Sequence, residues 1–273
     1  GYVRLTHLYQ ANGARVCHVP LDGQGVSMGA LRKCGAGVVH LMPSHQFPTG
    51  RVTSIARRYE LLGWASSAGD GGRRWIVEDD YDCEFRLAGR PVPALAGVDA
   101  EGSVIYTNTF SKSLGAGLRL AYMVLPPRLM DRYEAELGFY SSTVSSVQQV
   151  ALARILESGD YERHVARMRN RSRELRDSLM DALRASALGA RMRVEEADSG
   201  LHFVLAVQAS LPEAEASARA LEQGVLLPAL GSYAWCEKNA TSPDGLARFV
   251  VQYAGLDATR IPDVVAALER ALA

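Results

Sequence analysis

The sequence predicts an α/β fold with a mostly parallel sheet flanked by helices, followed by a smaller α+β unit. In the first half of the chain, short β-rich runs alternate with helical patterns, which is typical of parallel strands joined by crossover helices. In the second half, a long helical stretch precedes only two further strand candidates and a terminal helix. We therefore expect a large domain over residues 1–156 and a small domain over residues 157–273.

Five runs are the candidate strands of the large domain, because each is rich in β-branched and other apolar residues. They cover residues 15–19, 37–42, 75–78, 104–108 and 120–125. The clearest helix follows Gly50, where apolar residues recur every three to four positions and predict one buried stripe. The stripe contains Val52, Ile55, Tyr59 and Leu62, with Arg57, Arg58 and Glu60 on the other side.

A helical pattern covers residues 144–183 and breaks at Ser158-Gly159. The second piece has a predicted buried stripe of Val165, Met168, Leu175, Leu179 and Leu183. Arginines crowd its other faces: Arg163, Arg167, Arg169, Arg171, Arg173 and Arg176. They could form a docking face for DNA or another domain, but we favour a solvated face paired with Glu162, Glu174 and Asp177. Strand candidates at 201–207 and 249–253 and a helix started by Pro262 complete the chain.

The composition is that of an ordinary globular protein, with 273 residues, 48% hydrophobic, 22% charged and no formal net charge. Neutrality argues against a surface that coats nucleic acid. The four cysteines show no CxxC spacing, so neither a zinc site nor a disulfide scaffold is expected. No apolar run approaches the length of a membrane span. We expect a soluble cytoplasmic protein, and the opening Gly1-Tyr2 has the pattern of a domain interior, as in a fragment of a longer chain.

Lys112 is notable because it is one of only three lysines among 30 basic residues. Arginine stays protonated and cannot form an imine, so an arginine-rich chain is expected to retain lysine where a nucleophilic amine is needed. Arginine-rich coding bias would produce the same scarcity, so the neighbouring residues must decide. Lys112 lies in the segment TFSKSLG, and Arg119 follows seven residues later.

Three predicted strand ends carry unusual polar residues, namely residues 43–50, residues 78–86 and the Lys112 segment. In an open α/β sheet, ligands bind beyond the carboxyl ends of the strands, so these segments are expected to converge. They offer an amine that can form an imine, a carboxylate and a phenol at a neighbouring strand end, and hydroxyls with an arginine for a phosphate. Together these groups indicate pyridoxal 5′-phosphate.

With these segments the chain resembles fold-type I aminotransferases of class I/II, and more narrowly the aminotransferase-like domain of MocR-type (GntR-family) transcriptional regulators. The narrow resemblance rests on SHQFPTG, EDDYDCEFR, TFSKSLGAGLRL and RHVARMR, in this order. Ordinary class I/II aminotransferases usually carry Asn-Pro-x-Gly in place of SHQFPTG. The resemblance implies the pyridoxal-phosphate-dependent transferase fold of type I. We expect His164, Arg167 and Arg169 of the last segment to serve interdomain packing.

The resemblance implies that Lys112 carries the cofactor covalently, that Asp79 pairs with its pyridine nitrogen, and that Tyr81 hydrogen-bonds its O3′ oxygen. Without the Lys112 segment, Asp79 would be interpreted as a capping or loop carboxylate and Tyr81 as a packing aromatic. The same resemblance places Thr109 and Ser111 at the phosphate.

Arg119 also matches a phosphate-binding position, where a guanidinium supplies charge-assisted hydrogen bonds. The alternatives are a turn cap for the two hydroxyls and a surface ion pair for Arg119. Ala121 departs from the family, which normally has glycine at that place. We expect the added methyl group to alter packing only.

Other residues are implied by the opening and by the remaining motifs. Tyr2 would stack on the cofactor ring and Arg4 would reach a carboxylate of the substrate or effector, unless this chain terminus is frayed. His45 or Gln46 would lie near the cofactor O3′, with loop capping as the alternative. Arg248 is the candidate for a second carboxylate-binding arginine from the small domain.

Two functional classes follow from the resemblance. In the first, the chain is the effector-sensing half of a transcription factor, which binds a small amino compound and signals to a winged helix-turn-helix DNA-binding domain outside this chain. In the second, it is a working aminotransferase in which Lys112 also moves a proton of the amino substrate. We favour the first. The resemblance further implies a homodimer, and we expect no membrane partner and no metal ion.

Overall fold

The computed structural model describes residues 2–67, 72–89, 92–198, 200–235 and 244–273. Within these ranges the helices are α1 (Val3–Ala11), α2 (Met28–Lys33), α3 (Ile55–Ser66), α4 (Leu95–Val98), α5 (Met130–Leu137), α6 (Ser146–Glu157), α7 (Asp160–Ala185), α8 (Glu213–Glu222) and α9 (Ile261–Ala271). The strands are β1 (Leu21–Asp22), β2 (Gly25–Val26), β3 (Val38–Leu41), β4 (Trp75–Asp79), β5 (Val104–Thr109), β6 (Ala121–Val124), β7 (Met192–Glu195), β8 (His202–Val207) and β9 (Ala247–Gln252). In the same ranges, no helix has the length and apolar character to cross a membrane.

The first sheet has the order β3-β4-β5-β6. Strands β3, β4 and β5 are parallel, and β6 runs antiparallel to β5. The register pairs Asp79 with Thr107, so β4 and β5 end at the same edge of the sheet. The predicted α/β class with a mostly parallel sheet is confirmed, and the polar strand ends of the sequence lie side by side.

The second sheet is antiparallel, in the order β7-β8-β9, and β8 is buried along its whole length. Its core is separate from that of the first sheet and contains Leu179, Leu183, Phe203 and Phe249. The first sheet has its own core, which includes Leu61 and other apolar residues of α2, α3, β3 and β4. The two strand candidates at 201–207 and 249–253 correspond to β8 and β9, whereas the sequence missed β7 and α8.

Residues 15–19 do not form the predicted strand. They line a cavity of about 820 Å³, and residues 38–42, which include β3, line the same cavity. A strand needs a hydrogen-bonded neighbour, and residues 15–19 take part in none of the sheets of the described residues. The apolar pattern was recognised, but a ladder partner is lacking within the described part of the chain.

The buried face of α3 differs from the predicted stripe. Ile55 and Tyr59 are exposed, whereas Arg57 and Arg58 are buried with Leu61, Trp64 and Ala65. The Arg58 guanidinium donates to the carbonyl oxygens of Thr53, Pro43 and Pro93 at 3.2, 2.9 and 2.8 Å. Its Nη1 also lies 3.7 Å from Glu78 Oε1, and both side chains are fully buried. A periodicity rule that counts arginine as polar cannot find such a paired, buried guanidinium.

We predict that Arg58→Ala lowers the free energy of unfolding by about 3–5 kcal/mol, because it leaves the Glu78 carboxylate buried without its counter-charge. Denaturant unfolding measures the change. The matched control is Arg132→Ala, which breaks an exposed ion pair with Glu136 of 2.9 Å and should change stability little. Equal costs for the two variants would contradict the buried pair.

Candidate functional site

The carboxylate of Asp79 lies at the end of β4. Its Oδ2 is 3.4 Å from His40 Nε2, and His40 Nδ1 is 2.6 Å from the Tyr9 hydroxyl. A carboxylate only accepts hydrogen bonds, so His40 donates from Nε2 and accepts the Tyr9 proton at Nδ1. This chain of polar groups from α1 and β3 orients Asp79 at the sheet edge, and the sequence did not reveal it.

Lys112 follows β5 on an exposed turn, and its Nζ lies 5.9 Å from the centre of the Tyr81 ring. The pKa of Tyr81 is raised, chiefly by burial, then by the charge of Asp82, with a further contribution from Asp79. Lys112 and the carboxylate of Asp79 therefore both act on the same phenol. The structure brings together the three residues that the sequence placed at adjacent strand ends.

The hydroxyls of Thr109 and Ser111 lie 2.9 Å apart, directly after β5. Thr109 Oγ1 is also 3.1 Å from the Leu120 carbonyl oxygen, to which the Phe110 N–H donates at 3.0 Å. These two bonds hold Leu120 against the start of the turn. Arg119 directly precedes Leu120 in the sequence. Arg119 has a left-handed φ of 53° and is exposed. A non-glycine residue is uncommon in this conformation and is often found at functional sites.

Helix α7 contacts the turn that carries Lys112. His164 Nε2 donates to the Ser113 carbonyl oxygen at 2.7 Å, and the Tyr161 hydroxyl lies 3.0 Å from both Ser113 Oγ and Glu84 Oε1. Burial raises the pKa of Glu84. His164 thus packs against the Lys112 turn, as we expected from the sequence.

The expectation of a solvated arginine face on α7 is wrong in part. Three of its arginines donate to backbone carbonyl oxygens of other segments: Arg169 to Glu84 at 2.9 Å, Arg173 to Leu87 at 3.0 Å, and Arg176 to Ala197 at 2.8 Å. Guanidinium groups satisfy carbonyls that turns leave unpaired, which a charge pattern alone does not indicate. Arg163 does pair on the surface, with Asp160 at 2.8 Å. Four of the five residues of the predicted apolar stripe, Val165, Leu175, Leu179 and Leu183, are buried, and Met168 is half-buried.

The opening residues lie beside the SHQFPTG loop. Tyr2 packs edge-on against Phe47, with ring centres 6.1 Å apart, and Phe47 packs against Tyr233 and His202. Arg4 is exposed on α1. Tyr2 therefore has ordered aromatic neighbours at this edge of the molecule.

Arg248 lies in β9 of the second sheet. Its guanidinium Nη2 lies 3.0 Å from Glu195 Oε1 and 2.7 Å from Asp244 Oδ2. It pairs with Ala206 in the β8–β9 ladder, four residues along β8 from His202. The carboxylates of Glu195 and Asp244 thus pair with the Arg248 guanidinium. The role of Arg248 towards a carboxylate of the substrate or effector stays a prediction.

A buried cluster that the sequence did not reveal consists of His45, Asp82 and His202, which we call the histidine cluster. His45 Nδ1 lies 2.8 Å from Asp82 Oδ2 and 3.1 Å from the Tyr81 hydroxyl. His202 Nε2 donates to the Pro48 carbonyl oxygen at 3.2 Å. His45 thus links the histidine cluster to the Tyr81 hydroxyl. His45 Nδ1, Asp82 Oδ2 and His202 Nε2 are each engaged in a hydrogen bond, and we assign no metal to them. Only the fold could bring His202 to His45, because they lie far apart in the sequence.

The pKa of His202 is lowered to about 3 from 6.5, first by burial and then by the neighbouring His45. Below pH 6.5 the unfolded chain takes up a proton here while the folded protein does not. We therefore predict that this group makes stability fall from pH 6.5 towards pH 3, by up to about 1.4 kcal/mol per pH unit. Urea unfolding across this range measures the slope. His202→Asn should flatten it, and an unchanged slope would contradict the assignment.

Comparison with known proteins identifies the family of this chain. The aminotransferase class I and II family matches residues 82–268. The HTH-type transcriptional regulator YhdI of Bacillus subtilis is 39% identical over 85% of this chain and 49% of that protein. The probable rhizopine catabolism regulatory protein MocR of Rhizobium meliloti is 32% identical over 82% of this chain and 45% of that protein.

Among solved structures, the α-aminoadipate aminotransferase LysN of Thermus thermophilus, complexed with N-(5′-phosphopyridoxyl)-L-leucine, has a TM-score of 0.80 and 26% identity. The match covers 100% of this chain and 69% of that chain. The predicted fold of type I is confirmed. This chain spans just under half the length of the two regulators. It belongs to the class I and II aminotransferase family and corresponds to the aminotransferase-like region of MocR-type (GntR-family) regulators.

Proposed function

We propose that this chain is the effector-sensing, pyridoxal-phosphate-binding part of a MocR-type transcriptional regulator. The observation that carries the proposal is the placement of Lys112 over the Tyr81 ring, beside the strand that ends in Asp79. An amine, a phenol and a carboxylate at one sheet edge are the groups that this cofactor needs. The names of the relatives support the regulatory half of the proposal.

The residues present fit the cofactor. Pyridoxal phosphate supplies an aldehyde for an amine and a ring that withdraws electrons. Lys112 would bind the aldehyde carbon, and Asp79 would hold the proton of the ring nitrogen. Tyr81 keeps its own proton because burial raises its pKa, so it can donate a hydrogen bond to O3′. Thr109 and Ser111 offer paired hydroxyls to the phosphate.

Arg119 would complete the phosphate site with its charge; it directly precedes Leu120, whose carbonyl oxygen accepts from Thr109. Tyr2 and Arg4 remain the proposed contacts for the cofactor ring and for an effector carboxylate. Arg248 is left out, because Glu195 and Asp244 hold its guanidinium.

The whole protein is proposed to bind DNA through a winged helix-turn-helix domain and to act as a cytoplasmic homodimer, with residues 1–156 and 157–273 as the two domains of this part. The thiols of Cys34 and Cys83, which form no disulfide within the described part of the chain, support a reducing compartment. Large apolar side chains are exposed on β6 and on the segment after α5, among them Met123, Val124, Phe139 and Tyr140. This apolar surface supports a homodimer in which the second subunit covers it.

The test uses the full-length protein and the DNA upstream of its own gene. Pyridoxal phosphate with one member of a panel of amino acids and primary amines should change DNA affinity at least about fivefold. Lys112→Ala should not respond. An equal response in that variant would overturn the proposal, and repeated conversion of an amino acid with a keto acid, without any effect on DNA, would support the aminotransferase alternative.

A further inference from the structure

The histidine cluster joins the two sheets behind the proposed cofactor site. His45 follows β3, Asp82 follows β4, and His202 is the first residue of β8. All three side chains are buried. The His45 and His202 rings lie 4.3 Å apart with an angle of 43° between them. A movement of β8 relative to the first sheet must therefore disturb His45.

Asp82 determines which nitrogen of His45 carries the proton. A carboxylate only accepts, so the 2.8 Å contact requires His45 Nδ1 to donate to Asp82. His45 Nε2 is then a bare lone pair, and it is indeed a buried atom without a hydrogen-bond partner among the residues that the structure describes. The arrangement is that of a histidine whose orientation and tautomer are set by a buried acid.

The Tyr81 hydroxyl lies 3.1 Å from the same Nδ1. Since that nitrogen donates, Tyr81 presents its oxygen as an acceptor to His45 and keeps its own proton for another partner. Burial, and then the charge of Asp82, raise the pKa of Tyr81, so the phenol keeps this proton. His45 and Asp82 thus control where the Tyr81 O–H points, although neither needs to touch a cofactor.

The segment that leads into β8 closes the cluster. Gly200 has a φ of +74°, and a Cβ built there would overlap the His45 ring and lie 2.7 Å from Asp82 Oδ2. His202 is fixed by its bond to the Pro48 carbonyl oxygen. No space is left between residues 200–202 and the side chains of His45 and Asp82. The second sheet therefore packs directly against the two residues that orient Tyr81.

We propose that His45 and Asp82 are positioning residues for Tyr81, and that His202 couples their geometry to the position of the second sheet. This inference rests on the proposed function, in which Tyr81 faces pyridoxal phosphate. The groups that face Tyr81 are Asp79, Asp82, His45 and Lys112. Domain movement and the hydrogen bonding of the cofactor oxygen would then be one linked event.

The experiment follows the absorbance of pyridoxal phosphate bound to the full-length protein as a function of pH. Tyr81→Phe removes the donor to O3′ and should move the midpoint upward, because an oxygen without its donor holds a nearby proton more tightly. Asp82→Asn no longer requires a proton on His45 Nδ1, so this nitrogen can accept the Tyr81 proton and draw it away from O3′. The midpoint should then shift in the same direction by about one pH unit, a tenfold change in proton affinity. His202→Phe should give a smaller shift of the same sign, and His202→Asn, which can still donate to Pro48, should restore much of the wild-type value.

The matched control is Ser186→Ala, which removes a hydrogen bond of 2.7 Å to the Leu183 carbonyl oxygen at the end of α7. It should cost stability and leave the midpoint unchanged. If Asp82→Asn titrates like the wild type while Tyr81→Phe shifts, the positioning role is wrong; if only His202→Phe is silent, the coupling to the second sheet is wrong. If Asp82→Asn does not fold, His45→Gln takes its place. A wild-type protein that forms no lysine-bound cofactor would overturn the proposed function instead, and this inference with it.

Discussion

Lys112→Ala is expected to abolish covalent attachment of pyridoxal phosphate and to leave the fold intact. The side chain is exposed on a turn, so its loss creates no cavity. The turn itself is held by the hydrogen bond from the His164 side chain to the Ser113 carbonyl oxygen and by the Thr109 hydroxyl, which the substitution does not touch. Borohydride reduction followed by the mass of the intact protein measures attachment, and a denaturant unfolding curve measures the fold.

Lys33→Ala is the matched control, because Lys33 is an exposed lysine at the end of α2. It should keep the full amount of reduced adduct. Should the Lys112→Ala protein still carry one cofactor per chain after reduction, another lysine would be the attachment point and the assignment of Lys112 would be wrong.

Gly200→Ala is expected to cost about 3 kcal/mol or more in unfolding free energy, because a left-handed backbone and a collision act together. The new methyl group would overlap the His45 ring and lie 2.7 Å from Asp82. The backbone has little freedom to move away. The Gly200 N–H donates to the Phe85 carbonyl oxygen at 2.9 Å, and the Gly200 carbonyl accepts from Tyr253 at 2.8 Å.

Gly224→Ala separates the two causes. Gly224 has a similar φ of +79°, but a Cβ there meets no heavy atom within 4 Å among the described residues. Only the conformational cost of about 1–2 kcal/mol should appear in a urea unfolding experiment. Equal costs at the two glycines would show that Gly200 is not packed against the histidine cluster.

Much of the site could be predicted from the sequence because parallel strands end at one edge of a sheet. Asp79, Tyr81 and Lys112 each lie at or just after the end of a recognisable strand, so their convergence needed only the fold class. The same reasoning located the Thr109 and Ser111 hydroxyls. Their roles towards the cofactor remain predictions.

The remainder depended on contacts between distant segments. Arg58 is buried because Glu78 and three carbonyl groups surround it, and none of them is visible in a helical periodicity. His202 reaches Pro48 across 154 residues. Arg248 lies among the carboxylates of Glu195 and Asp244, which its position in the sequence did not indicate. Polar residues whose partners are far along the chain are therefore the ones that a local pattern misjudges.

Peptide mapping of the wild-type, full-length protein tests the central claim most directly. The protein is incubated with pyridoxal phosphate, reduced with borohydride, digested and analysed by mass spectrometry. We predict the cofactor on the peptide that contains Lys112, in stoichiometric amount, and not on Lys33 or Lys238. Cofactor spread over several lysines in small amounts, or none on Lys112, would contradict the account.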